Sequence, residues 1–244
     1  FEVEHGRLVA VVDASAITAI RTAAVSAVAT RALARPDAGD LAILGSGVQA
    51  ASHLEAMRAV RPLGRVRVWS RTPENARAFA EREARRHGLA VEPMPSARDA
   101  LEGADLVCTT TAAREPIVLG EWLVPGAHVN AVGACFAGAR ELDSAAVARA
   151  RLFVDRRESA LNEAGDFLIA RQEGAIGDDH IAGELGEVLL GRVAGRTSPD
   201  QITLFESLGL AVEDLAVAEH IHRKALAEDA GMALEFGGRR HAHH

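Results

Sequence analysis

The stretch Leu41-Ala42-Ile43-Leu44-Gly45-Ser46-Gly47-Val48-Gln49-Ala50 constrains this chain more than any other. Four apolar residues form a short buried strand. Two glycines follow at once, and a helix-compatible run continues from Val48 to Val60. The pattern is G-x-G-x-x-A in the setting strand, tight turn, helix. The first glycine permits the sharp turn, the second lets backbone approach a pyrophosphate, and the small Ala50 lets helix and strand pack closely. The free N–H groups and partial positive charge of a helix N-terminus suit phosphate. The stretch therefore predicts a dinucleotide-binding unit, and a second strand, Arg65 to Trp69, follows as that unit requires.

The 244 residues suffice for one large domain or two modest ones with a real core. Aromatic content is only 4%, so Ala, Val and Leu must do most of the packing. There is no Tyr to serve as a general acid. A net charge of −7 argues against a nucleic-acid partner. The two cysteines, Cys108 and Cys135, do not make a disulfide framework and suggest a reducing, cytoplasmic setting. No membrane span is expected, because Arg21 interrupts the longest apolar run. Phe1 to His5 lack the pattern of a signal peptide. The histidines of the tail resemble a metal-binding tract or a tag remnant. They are assigned no role, and no metal site is expected.

Leu8 to Val12 reads as a strand. Asp13 and Ser15 are candidate caps for a helix from about Ala16 to Ala34, with Ile17, Ile20, Val25, Val28 and Leu33 as core positions. The breaker segment Arg35 to Asp40 suggests a domain boundary. Strands then alternate with helices: 41–44, 65–69, 90–92, 105–109, 126–133, 151–154 and 201–205, with helices at 48–60, 74–87 and 97–101. This alternation predicts an α/β fold with a doubly wound parallel sheet of the Rossmann type. Residues 155–199 are rich in charge and glycine, with a helix near 184–190. A last helix runs from about Ala211 to Asp229. The expected organisation is 1–35 as part of a smaller substrate and dimerisation domain, 36–210 as the dinucleotide-binding domain, 211–230 as a helix returning to the substrate domain, and 231–244 as a disordered tail.

The end of the second strand tests which dinucleotide is bound. An NAD site places Asp or Glu there to hold the ribose 2′-hydroxyl. Here the strand ends Trp69-Ser70-Arg71-Thr72. A cation and two hydroxyls suit the 2′-phosphate of NADPH, which a carboxylate would repel, so NADPH is favoured over NADH.

Several segments taken together resemble the ornithine cyclodeaminase/mu-crystallin family, in order and with matching spacing from about Leu8 to Ala227. They are Arg21-Thr22-Ala23-Ala24, the glycine turn, Ser70-Arg71-Thr72, Glu115-Pro116-Ile117, Asn130 to Ala134, Arg140-Glu141-Leu142-Asp143, Glu184 to Val188 and Phe205 to Asp214. The mu-crystallin, ketimine reductase-like branch is the closest in pattern. The resemblance implies that Arg21 grips a substrate carboxylate with Thr22 beside it. Glu163 matches a position near the ligand. Gly45, Gly47, Val48 and Gln49 would cradle the pyrophosphate, and Ser70, Arg71 and Thr72 the 2′-phosphate. Thr110, Thr111 and Ala112 would line the ribose and nicotinamide, Val132 and Ala134 would pass near the nicotinamide, and Ser207 and Leu208 would close the far side. Cys135 stands where cyclodeaminases carry an Asp; the Val132–Cys135 loop would shape the hydride-transfer site, and Arg21 and Cys135 are the catalytic candidates. The family's substrate-binding Lys lies upstream of the stretch matching Leu8, and Lys224 is the only Lys here, so the smaller domain is expected to be incomplete. The implied activity is NADPH-dependent reduction of a C=N bond in a cyclic ketimine or imino acid, or the reverse amino-acid dehydrogenation, by a homodimer. Two other readings stand beside it: ornithine cyclodeaminase using bound NAD, and a non-catalytic protein that binds NADPH and a small carboxylate.

Overall fold

The structure, a computed structural model, describes residues 1–234. The tail histidines and most of the tail expected to be disordered lie outside the described residues. The elements run α1 (Ala14–Leu33), β1 (Asp40–Leu44), α2 (Val48–Val60), β2 (Arg65–Trp69), α3 (Pro73–His87), β3 (Glu92–Pro93), α4 (Ala97–Leu101), β4 (Leu106–Thr109), β5 (His128–Ala131), α5 (Ser144–Arg149), β6 (Arg151–Val154), α6 (Arg157–Glu163), α7 (Gly165–Gln172), β7 (Ile181–Glu184), α8 (Leu185–Leu189), β8 (Thr203–Glu206) and α9 (Ala211–Glu228).

The eight strands form one parallel sheet in the order β3-β2-β1-β4-β5-β8-β6-β7. The chain moves outward from β1 to β3, then returns to place β4 on the other side of β1. That reversal opens a crevice at the carboxyl ends of β1 and β4. Each face of the sheet is covered, as a parallel sheet requires. Ala42, Leu44, Val107, Val129, Leu152 and Leu204 pack on one face with residues of α4, α5 and α7. Leu41, Ile43, Val66, Val68 and Leu106 pack on the other with α2, α3 and the C-terminal part of α1. Phe153 and Phe205 meet Leu33 of α1 and Leu185 of α8.

Two compact units result: residues 22–210, which hold the whole sheet, and residues 1–21 with 211–234. The division runs through α1.

Several expectations need correction. Leu8 to Val12 is not a strand, because no second strand pairs with it among the described residues. Alternating apolar residues make a strand only where a neighbouring backbone completes the ladder. On α1, Asp13 is the cap and accepts a hydrogen bond from the Ser15 N–H at 2.9 Å, while Ser15 lies inside the helix. Ile20 and Val28 are exposed rather than core. The same helix is, by length and composition, apolar enough to cross a membrane despite Arg21. Its buried face nevertheless holds Ser26 and Thr30, and these bond to the sheet unit. The Ser26 hydroxyl pairs with His53 Nε2 at 3.0 Å, and the Thr30 hydroxyl accepts from Asn130 at 3.0 Å. That is the chemistry of a core helix. Within 155–199 the chain builds α6, α7 and β7 as well as the expected short helix. The short pieces there carry too few residues for a clear apolar period.

A polar seam runs through this core. His128 sits between Thr203 and Asn130, and His53 between Ser26 and the Gln49 carbonyl. Burial lowers the pKa of His53 to about 4 and of His128 to about 3, so both stay neutral in the native state. The unfolded chain takes up protons on both below about pH 6.5 while the native state does not. Their contribution is therefore complete above pH 6.5 and declines as pH falls toward those lowered values. Denaturant titration of wild type and His128→Gln between pH 7 and 4 checks this. The stability gap in favour of wild type should shrink by about 1.4 kcal/mol per pH unit below pH 6.5, whereas parallel curves would show that the imidazole does not titrate differently on folding.

Candidate active site

The crevice at the ends of β1 and β4 is a cleft of about 280 Å³, lined by Gly45 to Gly47, Trp69 to Thr72, Asn75, Thr110 to Ala113 and Ile117. Its geometry begins with Gly45. This residue has φ +119°, a region that side chains rarely adopt, and a Cβ there would lie 2.6 Å from Thr110 Oγ1 and 2.7 Å from the Thr110 carbonyl. The close approach lets Thr110 N–H and Thr110 Oγ1 both donate to the Leu44 carbonyl, at 2.8 and 3.1 Å. The end of β1 is thus locked to the loop after β4.

Gly47 differs from Gly45. It caps α2 without a side-chain hydrogen bond, and a Cβ built on it meets nothing within 4 Å. Gly47 lines the cleft, so the start of α2 borders it with open space at that residue, an arrangement that suits an anion. The Ser46 hydroxyl meets the Ser70 hydroxyl at 3.1 Å, joining the glycine turn to the end of β2. Arg71 is exposed, lines the cleft and makes no ion pair among the described residues. Thr72 caps α3 through its backbone only, with Pro73 in the first turn.

The remaining site residues occupy neighbouring strand ends. Thr111 and Ala112 line the cleft. Val132 and Ala134 are buried just beyond β5. The Cys135 thiol donates to the Val132 carbonyl at 3.1 Å, so it braces the turn. Ser207 is buried beyond β8, and the Leu208 N–H donates to Asp155 Oδ2 at 2.7 Å. Val48 and Gln49 open α2, with Val48 largely exposed. Thr22 is buried, and its hydroxyl finds no hydrogen-bond partner among the described residues. Arg21 lies in the other unit, where its Nε donates to Asp214 at 3.1 Å and its Nη1 to Glu213 at 3.5 Å. Glu163 is exposed at the end of α6 and is not among the residues lining the cleft.

Sequence reasoning gave no role to a set of buried acids. Glu141, Asp155, Asp166 and Glu206 lie at or near the carboxyl ends of the strands or in the loops behind them. Burial raises the pKa of each, that of Asp166 to about 8. The signal that could have found two of them is position: Asp155 and Glu206 stand at strand ends, where ligands bind in such sheets.

A parallel sheet with an anion-ready helix terminus at its switch point defines a dinucleotide-binding α/β protein. The chain belongs to the ornithine cyclodeaminase/mu-crystallin family, whose model matches residues 1–229. It is 46% identical to the mouse ketimine reductase mu-crystallin over 222 residues, which cover 91% of this chain and 67% of that protein. It is 40% identical to a Delta(1)-pyrroline-2-carboxylate reductase of Bacillus cereus over 234 residues, covering 96% of this chain and 72% of the other. The structure of the Thermococcus litoralis Delta(1)-pyrroline-2-carboxylate reductase in complex with NADH and L-proline superposes with a TM-score of 0.88 at 43% identity, covering 90% of this chain and 68% of that one.

The two glycines should respond differently to substitution. Gly47→Ala adds a methyl into open space, so the melting temperature should stay within about 2 °C while dinucleotide affinity falls at least tenfold. Gly45→Ala should cost roughly 1–3 kcal/mol of stability through backbone strain alone. Equal melting temperatures for the two variants would contradict the geometry.

Proposed function

We propose that this chain is an NADPH-dependent oxidoreductase that reduces the C=N bond of a small cyclic ketimine or imino acid bearing a carboxylate next to the imine carbon. The reverse direction is dehydrogenation of the corresponding amino acid. The observation that carries the reading is the cleft: an uncapped helix terminus, an open Gly47 and a cation in place of a carboxylate at the end of β2. Its relatives by sequence are named for reduction of this class of compound.

The cradle fits a nicotinamide dinucleotide, which when bound supplies the hydride. The protein's own residues bind and orient. Gly45, Gly47, Val48 and Gln49 offer backbone to the pyrophosphate. Ser70, Arg71 and Thr72 hold the 2′-phosphate. Thr110, Thr111, Ala112, Val132 and Ala134 shape the ribose and nicotinamide side, and Ser207 and Leu208 close it. Arg21 grips the substrate carboxylate, with Thr22 beside it. Asp214 accepts from its Nε and Glu213 from its Nη1, which fixes the guanidinium. A protonated imine is already electrophilic, so orientation is the main demand on the protein.

Ornithine cyclodeaminase with bound NAD is the weaker reading. It calls for a carboxylate where Cys135 stands, and that thiol is a hydrogen-bond donor to the Val132 carbonyl. Glu163, exposed and outside the cleft lining, is the weaker candidate for substrate contact. Residues 1–35 and 211–230 are assigned to the substrate side, 36–210 to the nucleotide side, and two copies to the assembly. No disulfide joins Cys108 and Cys135, which fits a cytoplasmic setting.

Three measurements test this. NADPH consumption with a panel of cyclic ketimines should show turnover, and NADPH binding without turnover on any of them would favour the binding-protein reading. Arg71→Ala should weaken NADPH at least tenfold, the scale of one charge-assisted hydrogen bond, and leave NADH within twofold. Equal losses would remove Arg71 from the 2′-phosphate site. Arg21→Ala should raise KM for the carboxylate substrate at least tenfold with NADPH affinity unchanged.

A further inference from the structure

The loop after β4, which lines the cleft, and the loop after β5 are held together by a single buried side chain. Glu141 is fully buried. One of its carboxylate oxygens, Oε1, accepts from the Thr111 N–H at 2.7 Å and the Thr111 hydroxyl at 2.6 Å. The other, Oε2, accepts from the Gly133 N–H at 2.8 Å. Thr111 follows β4 and lines the cleft, while Gly133 follows β5 and stands between Val132 and Ala134. The contact is close enough that residue 133 must be glycine. A Cβ there would overlap the Thr111 carbonyl oxygen and lie 2.6 Å from Glu141 Oε1.

Glu141 is itself fixed on both sides. Its N–H and that of Leu142 donate to Asp166 Oδ1 at 2.8 and 2.7 Å, and its carbonyl accepts from Ile117 and Val118 at 2.8 and 3.0 Å. A side chain so constrained carries no entropy cost when a ligand arrives, and it transmits the position of one loop to the other.

We propose that Glu141 is a positioning residue for hydride transfer: it ties the β4 and β5 loops together and so sets where the nicotinamide ring lies. This rests on the reading of the cleft as the NADPH site. Glu141 is not among the residues lining the cleft, and in this role it acts through Thr111 and Gly133. Glu141→Gln keeps the size of the side chain but turns the oxygen facing Gly133 into a donor, which cannot accept that N–H. Thr111→Val removes one donor and leaves the rest.

The test uses the whole chain with two probes, NADPH and 2′,5′-ADP, the adenosine half alone. In Glu141→Gln the Kd for 2′,5′-ADP should stay within twofold of wild type. The Kd for NADPH should rise at least tenfold, the fluorescence enhancement of bound NADPH should diminish, and kcat should fall more than KM for the imine rises. Thr111→Val should show the same split to a smaller extent, and it carries the test should Glu141→Gln fail to melt cooperatively. Parallel weakening of both probes, or no change in either, overturns the role. A wild-type chain that binds neither probe overturns the cleft reading itself, a result distinct from the other two.

Discussion

The Leu44 carbonyl is where this fold commits itself. It accepts from both the N–H and the hydroxyl of Thr110, which joins the end of β1 to the loop after β4. The approach is possible only because Gly45 adopts φ +119° and carries no Cβ. Those strands are the pair at which the chain reverses its direction across the sheet. The crevice, the free terminus of α2 and the later strand ends all take their positions from that junction.

Beyond the junction, the strand ends are secured by acids more than by apolar packing. Asp155 receives the N–H groups of Leu208 and Gly209, Asp166 those of Glu141 and Leu142, and Glu141 those of Thr111 and Gly133. Loops at the edge of a sheet have few apolar contacts to hold them. A buried carboxylate that gathers several backbone donors fixes such a loop and satisfies groups that would otherwise be costly to bury. Parallel arrangement puts the ends of β6 and β8, where Asp155 and Glu206 stand, on the same side of the sheet as the cleft.

The sheet unit was largely legible in the sequence because its strands are apolar, its helices have clear starts and its glycine turn has a mechanism. Spacing alone suggested Gly47 for a phosphate, and the structure leaves open space beside it. The absence of a carboxylate after Trp69 was equally readable. Leu8 to Val12 was not, because alternation cannot reveal whether a partner strand exists. Ile20 and Val28 look like core positions on a helix wheel, yet which face of α1 is buried depends on Ser26 and Thr30 meeting His53 and Asn130. Glu141 and Asp166 were missed for a related reason. A charged residue between helices reads as surface until tertiary structure supplies its donors. Glu141 stood inside a segment singled out only for its resemblance, with nothing local to show that three donors from two distant loops converge on it.

The buried acids bear on how a chain of net charge −7 can accept a polyanion. Four ionised carboxylates behind a phosphate cradle would oppose the field of the α2 terminus and of Arg71. Burial raises the pKa of Glu141, Asp155, Asp166 and Glu206 alike, and Asp166 and Glu141 add to the shift at Glu206 by mutual repulsion. Desolvation works against the charge of each, while the oxygens of Glu141, Asp155 and Asp166 still gather backbone donors. Arg71, by contrast, is exposed and lines the cleft. Placement thus outweighs total charge: the acids are held where desolvation works against their charge, and the cation that lines the cleft stands in solvent.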